Sequence, residues 1–331
     1  MDRLQELASW LSTRFPDSAP DIVPASSDAS FRRYFRVTIG GVPRIVMDAP
    51  PDKEDCTPYL HVARLFHDAG VHVPEVLAED RERGFLLLSD LGATTYLAAL
   101  RDEAAAHALY VDAIDALIRI QRASRAGVLP DYDERLLMRE MRLFQEWYVP
   151  RHLSRELPPV FADLMEEQMA LVLANNLRQP RVFVHRDYHS RNLMVTDPNP
   201  GILDFQDAVY GPVTYDLVSL FRDAYIRWDE ELVLDWTIRY WETARKAGLP
   251  VDRDFAAFYR DFEWMGVQRH LKVLGIFARL YHRDGKDGYL KDIPLVREYL
   301  EKTVRRYREL HDLARVLDYL HDAEVKAGFT F

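Results

Sequence analysis

The sequence predicts an α+β fold of two lobes: a small N-terminal lobe on an antiparallel sheet (residues 1–92) and a larger, mainly helical C-terminal lobe (residues 93–331). Three observations carry this. Short alternating runs separated by glycine turns dominate the first 92 residues. Beyond Gly92, apolar residues recur at helical spacing almost without interruption. The helical stretch is broken once, by apolar runs that flank the polar segment His185-Arg186-Asp187-Tyr188-His189-Ser190-Arg191-Asn192.

Taken in order, Leu4, Leu7, Ala8 and Leu11 mark an amphipathic first helix. Prolines 16, 20 and 24 then break the chain before Ala25–Ser30, a loop of small polar residues. Ser30–Val37 and Pro43–Met47 form a hairpin around Gly40-Gly41. Tyr59, Val62, Ala63 and Phe66 mark a helix stopped by Ala69-Gly70, and Phe85–Leu88 is apolar throughout, as a doubly buried strand would be. Ser89-Asp90-Leu91-Gly92 closes the lobe. Helices are expected near residues 96–125, 135–149, 160–177, 213–227, 230–247, 254–282 and 294–327. In the polar interruption, Val182–Val184 leads in, Leu193–Val195 leads out, and Thr196–Gly201 turns the chain into Ile202-Leu203-Asp204.

The 331 residues are 48% hydrophobic, enough to bury a core in each lobe. A net charge of −10 argues against nucleic acid as the partner, because affinity for phosphate backbones needs clustered Lys and Arg. One cysteine, Cys56, supplies neither an intramolecular disulfide nor a zinc cluster, which fits a cytoplasmic protein. Met1–Ser12 has no leader pattern and no apolar run reaches a membrane-spanning length, so no membrane association is expected.

Asp187, Asn192 and Asp204 stand out chemically. A carboxylate presented on a loop can orient a hydroxyl and take its proton. Asn192 and Asp204 offer hard oxygen ligands of the type Mg²⁺ prefers, completed by phosphate oxygens and water. Either aspartate alone would pass for a turn cap or a strand end; the set, at this spacing, suits metal-assisted phosphoryl transfer. A second reading uses His185, Asp187 and His189 as zinc ligands, although no further His or Cys completes a tetrahedral site. Walker and Rossmann glycine motifs are absent. The Ala25–Ser30 loop with Arg32 and Arg33 behind it is a candidate phosphate cover, though an ordinary surface turn reads the same way.

His185–Asn192 followed by Leu203-Asp204-Phe205-Gln206-Asp207 resembles the catalytic and metal-binding motifs of the aminoglycoside phosphotransferase and choline kinase group, relatives of protein kinases. The resemblance spans nearly the whole chain. It implies a protein-kinase-like two-lobed fold using ATP and Mg²⁺, with Asp187 as catalytic base and Asn192 and Asp204 as metal ligands. Asp216 would brace the catalytic loop. It places Leu87–Leu91 at the adenine hinge, so Ser89 and Leu91 join Ser30, Arg32 and Arg33 as nucleotide-binding candidates. Ser27–Arg36, Val46–Pro51 and Gln268–Phe277 further resemble the bacterial anomeric kinases of cell-wall sugar recycling, which act on the C1 hydroxyl of N-acetylmuramate and N-acetylglucosamine. Kinases of this fold carry a phosphate-holding lysine where this chain has Met47; Arg32 or Arg33 is expected to substitute.

Candidate substrate residues are His189, Arg191, Glu146, Trp147 and Arg269. Taken singly, Trp147 at helical spacing reads more readily as core and Arg269 as a surface or interhelical charge. The expected partner is a small amino sugar, bound by a monomer; an aminoglycoside or choline acceptor, or a silent kinase-like binding protein, stays open at this point.

Overall fold

In the computed structural model, which describes residues 2–18, 21–26 and 31–327, five strands form one antiparallel sheet in the order β1–β2–β3–β5–β4. These are β1 (Val23–Ser26), β2 (Arg33–Ile39), β3 (Val42–Asp48), β4 (Val76–Asp80) and β5 (Phe85–Ser89). Register puts Phe35 opposite Val46 and Val46 opposite Leu87. Helix α1 (Arg3–Arg14), capped by the Asp2 side chain, lays Leu7, Trp10 and Leu11 on Phe35, Val37, Val46, Phe85 and Leu87. That apolar contact seals one face of the sheet. The fully buried Asp48 carboxylate receives the guanidinium groups of both Arg3 and Arg33, which ties α1 to the sheet.

The chain divides into two compact units, Met1–Ile120 with Arg191–Asp207, and Gln121–Ser190 with Ala208–Phe331. The sequence places its boundary at residue 92; packing instead groups residues 93–120 and the 191–207 hairpin with the sheet. Hydrogen bonds explain this: Asn199 donates to the Tyr96 hydroxyl (2.8 Å) and to Asp112 (2.7 Å), and His72 bonds the Pro198 carbonyl (2.8 Å).

Helix α2 (Thr57–Asp68) belongs to the first unit. The helix expected over 96–125 is two, α3 (Tyr96–Ala99) and α4 (Glu103–Arg122), because Thr95 caps the first and Asp102 accepts the Ala105 N–H at the start of the second. The second unit contains α5 (Glu134–Leu143), a π-helical segment Phe144–His152, α6 (Pro159–Leu177), α7 (Tyr215–Phe221), α8 (Glu230–Lys246), α9 (Phe255–Asp284), α10 (Ile293–Arg306) and α11 (His311–Ala327). The helix expected over 294–327 breaks at the extended Tyr307. Helix α9 is buried over most of its length and packs against α5, α6, α7, α10 and the π-helical segment.

The strands around the polar loop pair differently from a single hairpin. Strand β6 (Arg181–Val184) runs antiparallel to β9 (Val209–Pro212), while β7 (Leu193–Met194) pairs with β8 (Gly201–Ile202). Among the described residues no helix is long and apolar enough to cross a membrane.

Candidate active site

In the second unit, β6 delivers the chain into His185–Ser190, and buried carboxylates hold that loop at both ends. Asp216, on α7 and fully buried, accepts the backbone N–H of His185 (2.7 Å) and of Arg186 (3.0 Å). Asp223, also fully buried, accepts the Ser190 N–H (2.9 Å) and its hydroxyl. Between them the chain turns sharply, with Arg186 at φ 77°, a left-handed conformation few non-glycine residues adopt. Such strain persists only where its surroundings over-determine it, and loops that carry chemistry are the usual place.

The Arg186 guanidinium pairs with Glu140 on α5 (2.5 Å) and lies over the Tyr132 ring. Glu140 is itself buried, and it also meets the Lys272 ammonium (3.1 Å), the Gln268 amide (3.2 Å) and the Tyr132 hydroxyl. Burial alone would push its carboxyl up; Lys272, Arg186 and the Tyr132 hydrogen bond reverse that and hold it below the usual range. Lys272 also donates to the Tyr215 hydroxyl (2.9 Å). One internal anion thus anchors two cations from separate elements.

Asp187 is surrounded by this framework. Burial opposes its ionisation, but Lys272, His189, Arg186 and Arg269 together hold its carboxyl down at about 2. It is therefore fully ionised at neutral pH, suited to orienting an acceptor hydroxyl and receiving its proton late, when the oxygen has become acidic. Asp216 goes the other way, pushed up to about 7 by burial, against its two N–H bonds and with the Asp187 charge adding to the push.

The first unit holds the two candidate metal ligands. The β7–β8 hairpin places Asn192 and Asp204 side by side, with the Asn192 amide donating to Asp204 Oδ2 (3.3 Å) and the Leu203 N–H to the Asn192 carbonyl (2.9 Å). Asp204 sits at φ 60° and its Oδ1 accepts the Gln206 amide (2.6 Å). Both Asn192 and Asp204 are hard oxygen donors within one hydrogen bond of each other, a set that fits Mg²⁺ completed by phosphate oxygens and water. Among the described residues no group of three or more His, Cys, Asp or Glu side chains could hold a metal. The zinc alternative thus finds no ligand set, and the buried His185 spends its Nδ1 on accepting the Asp187 N–H (3.2 Å).

Of the nucleotide-binding candidates, Ser30 lies outside the described residues. Met47 is fully buried in β3, so no lysine occupies that strand position. Arg32 and Arg33 separate clearly. Arg33 is tied to Asp48, whereas Arg32, mostly buried and paired with Glu54 (2.9 Å), is near enough to Asp207 and Asp204 to feel both. Burial works against the Arg32 charge, but Tyr34, Glu54, Asp207 and Asp204 outweigh it and raise its pKa. Ser89 serves the sheet: its hydroxyl accepts the Glu75 N–H (2.8 Å) and its own N–H bonds the Glu75 carbonyl (2.9 Å). Leu91 is buried, with Cδ1 3.0 Å from where a Cβ on Gly201 would lie.

Of the acceptor candidates, the structure brings His189 and Arg269 to the surroundings of Asp187. His189 stacks edge-on with Tyr225, ring centroids 5.4 Å apart. Arg191 belongs to the first unit. Glu146 and Trp147 lie on the π-helical segment, where Glu146 is exposed and is drawn to Arg279, and Trp147 is half-buried. Sequence reasoning missed Glu140, Lys272 and Asp223. Glu140 and Lys272 were hidden because each falls within a helical stripe and acquires a partner only through tertiary packing.

Residues 21–251 match the phosphotransferase enzyme family, APH. An N-acetylmuramate/N-acetylglucosamine kinase of Neisseria meningitidis serogroup B is 52% identical over 336 residues, covering 100% of both chains. One of the same name from Pseudomonas aeruginosa is 50% identical over 325 residues, covering 95% of this chain and 96% of its own. The solved choline kinase LicA of Streptococcus pneumoniae superposes with a TM-score of 0.64 at 11% identity, covering 91% of this chain and 100% of that one, which establishes a protein-kinase-like fold. The match over most of the sequence and the half-identical relatives agree: the chain belongs to the phosphotransferase enzyme family.

Proposed function

We propose that this enzyme transfers the γ-phosphoryl group of ATP to the anomeric C1 hydroxyl of N-acetylmuramate and N-acetylglucosamine, as a cytoplasmic monomer in cell-wall sugar recycling. The observation that carries the reading is Asp187, a carboxylate held ionised on a loop pinned by Asp216 and Asp223. The choice of sugar is supported by the N-acetylmuramate/N-acetylglucosamine kinases that are about half identical to this chain over nearly their full length.

In this reading Asp187 accepts a hydrogen bond from the acceptor hydroxyl and directs its lone pair at the γ-phosphorus. The O–P bond forms as the bond to the β-phosphate oxygen breaks, ADP leaves, and the hydroxyl proton passes to Asp187 and then to water. With a pKa near 2, Asp187 does not remove the proton in advance; it orients the nucleophile and receives the proton once bonding to phosphorus has acidified it. Asn192 and Asp204 would hold Mg²⁺, which neutralises triphosphate charge when bound. Arg32, drawn to Asp204 and Asp207, is the residue assigned to phosphate in place of the strand lysine, in preference to Arg33.

Asp187→Asn tests the assignment. It should fold, bind nucleotide and lose about two to four orders of magnitude in kcat, the usual contribution of a positioned acid or base. A variant within tenfold of wild type would remove Asp187 from the mechanism.

A further inference from the structure

We infer that Arg269 reads the lactyl carboxylate of the acceptor and sets the preference between N-acetylmuramate and N-acetylglucosamine. This deepens the proposed function and rests on it. Those two sugars differ by one group, the 3-O-lactyl ether and its carboxylate, so an enzyme that favours one needs a cation available to a ligand.

The second unit presents three cations in the electrostatic surroundings of Asp187: the half-buried Arg186 and the buried Lys272 and Arg269. Two already share a carboxylate: Arg186 is paired with Glu140, and Lys272 with Glu140 and the Tyr215 hydroxyl. Arg269 has no such ion pair among the described residues. It is only 3% exposed, yet its Nε and Nη1 have no hydrogen-bond partner among the described residues. Its α9 neighbours do not serve it: Gln268 turns its amide N–H₂ to Leu137 and Glu140 and leaves its amide oxygen unpartnered, and His270, stacked on Tyr299, bonds through neither ring nitrogen among the described residues. Asp187 and Asp216 feel its charge, but neither hydrogen-bonds those two nitrogens.

A buried guanidinium with open donors is costly unless something supplies acceptors and negative charge. The reacting hydroxyl is claimed by Asp187, so the remaining anionic group on the sugar is the lactyl carboxylate. A planar guanidinium is the side chain best matched to a carboxylate.

The experiment compares kcat/KM for N-acetylmuramate, for its lactyl carboxamide and for N-acetylglucosamine, in the wild type, Arg269→Gln and Arg269→Lys. The wild type should prefer the acid over the carboxamide by roughly 10- to 100-fold, the worth of a charge-assisted hydrogen bond. Arg269→Gln should bring that ratio close to one, and Arg269→Lys should keep part of it. A wild type indifferent to acid and amide overturns the inference without any variant, and so does a Gln variant that slows all three acceptors in equal proportion. If Arg269→Gln does not fold, the wild-type ratio and the Lys variant decide the matter. If the wild type phosphorylates none of the three sugars, it is the proposed function that fails; if it phosphorylates them with ratios that do not depend on Arg269, only the inference does.

Discussion

A single buried carboxylate, Glu140, meets Arg186, Lys272, Gln268 and the Tyr132 hydroxyl at once. Removing its charge leaves the half-buried Arg186 and the buried Lys272 without their anion. Glu140→Gln should therefore cost roughly 3–5 kcal/mol of stability, measured by urea unfolding. In the surviving folded enzyme it should lower kcat more than it raises the sugar KM, because it loosens Arg186 in the catalytic loop rather than a substrate contact. The pH dependence follows from two aspartates. Asp187 is held at about 2, below its ordinary 3.8, so its contribution to stability is present above 3.8 and is lost as pH falls toward 2; kcat should show no acidic limb from it near neutrality. Asp216 is raised to about 7, so its contribution is full below 3.8 and declines as pH rises through 7. Asp216→Asn should be less stable overall, having one fewer oxygen for the two N–H groups, and urea midpoints should fall less across that range than in the wild type. At this scale Asp187, Asn192 and Asp204 stood out in the sequence as candidates through their spacing around a polar loop, and the structure places Asp187 on that loop and Asn192 beside Asp204. Glu140 and Lys272 read as charges on helix surfaces until packing buries them together.

The helices and strands show where local pattern suffices and where it does not. The sheet hairpin was legible from alternation and Gly40-Gly41, and it forms as β2 and β3. Strand β6 was legible too, but its pairing with β9 was not, since the two are separated by the whole β7–β8 hairpin and sequence spacing carries no record of that partner. The helix expected over 135–149 turns π-helical at Phe144 and carries Pro150 within it, and apolar periodicity at 3.6 residues cannot show that widening. Packing supplies part of the cause: α9 crosses so closely that a Cβ on Gly275 would sit 2.3 Å from the Leu143 carbonyl carbon. That atom is backbone and cannot rotate away. Gly275→Ala should destabilise the protein by about 1–3 kcal/mol, despite the better helix propensity of alanine. A melting temperature equal to or above that of the wild type would show that the crossing is looser than described.

Across the whole molecule, composition and periodicity delimited a sheet-based lobe and a helical one, while hydrogen bonds from Asn199 and His72 decide which segments pack with the sheet. The acidic balance argues against a nucleic-acid partner, but no bulk property names a sugar. That step depends on relatives about half identical along their full length and on an ionised Asp187. Phosphorus NMR of the product formed from ATP, Mg²⁺ and N-acetylmuramate decides where the phosphoryl group goes. One new sugar phosphate whose phosphorus couples to the anomeric proton is expected, formed by the wild type and not by Asp187→Asn. A phosphate at C6, or no sugar phosphate at all, would contradict the proposed transfer to C1.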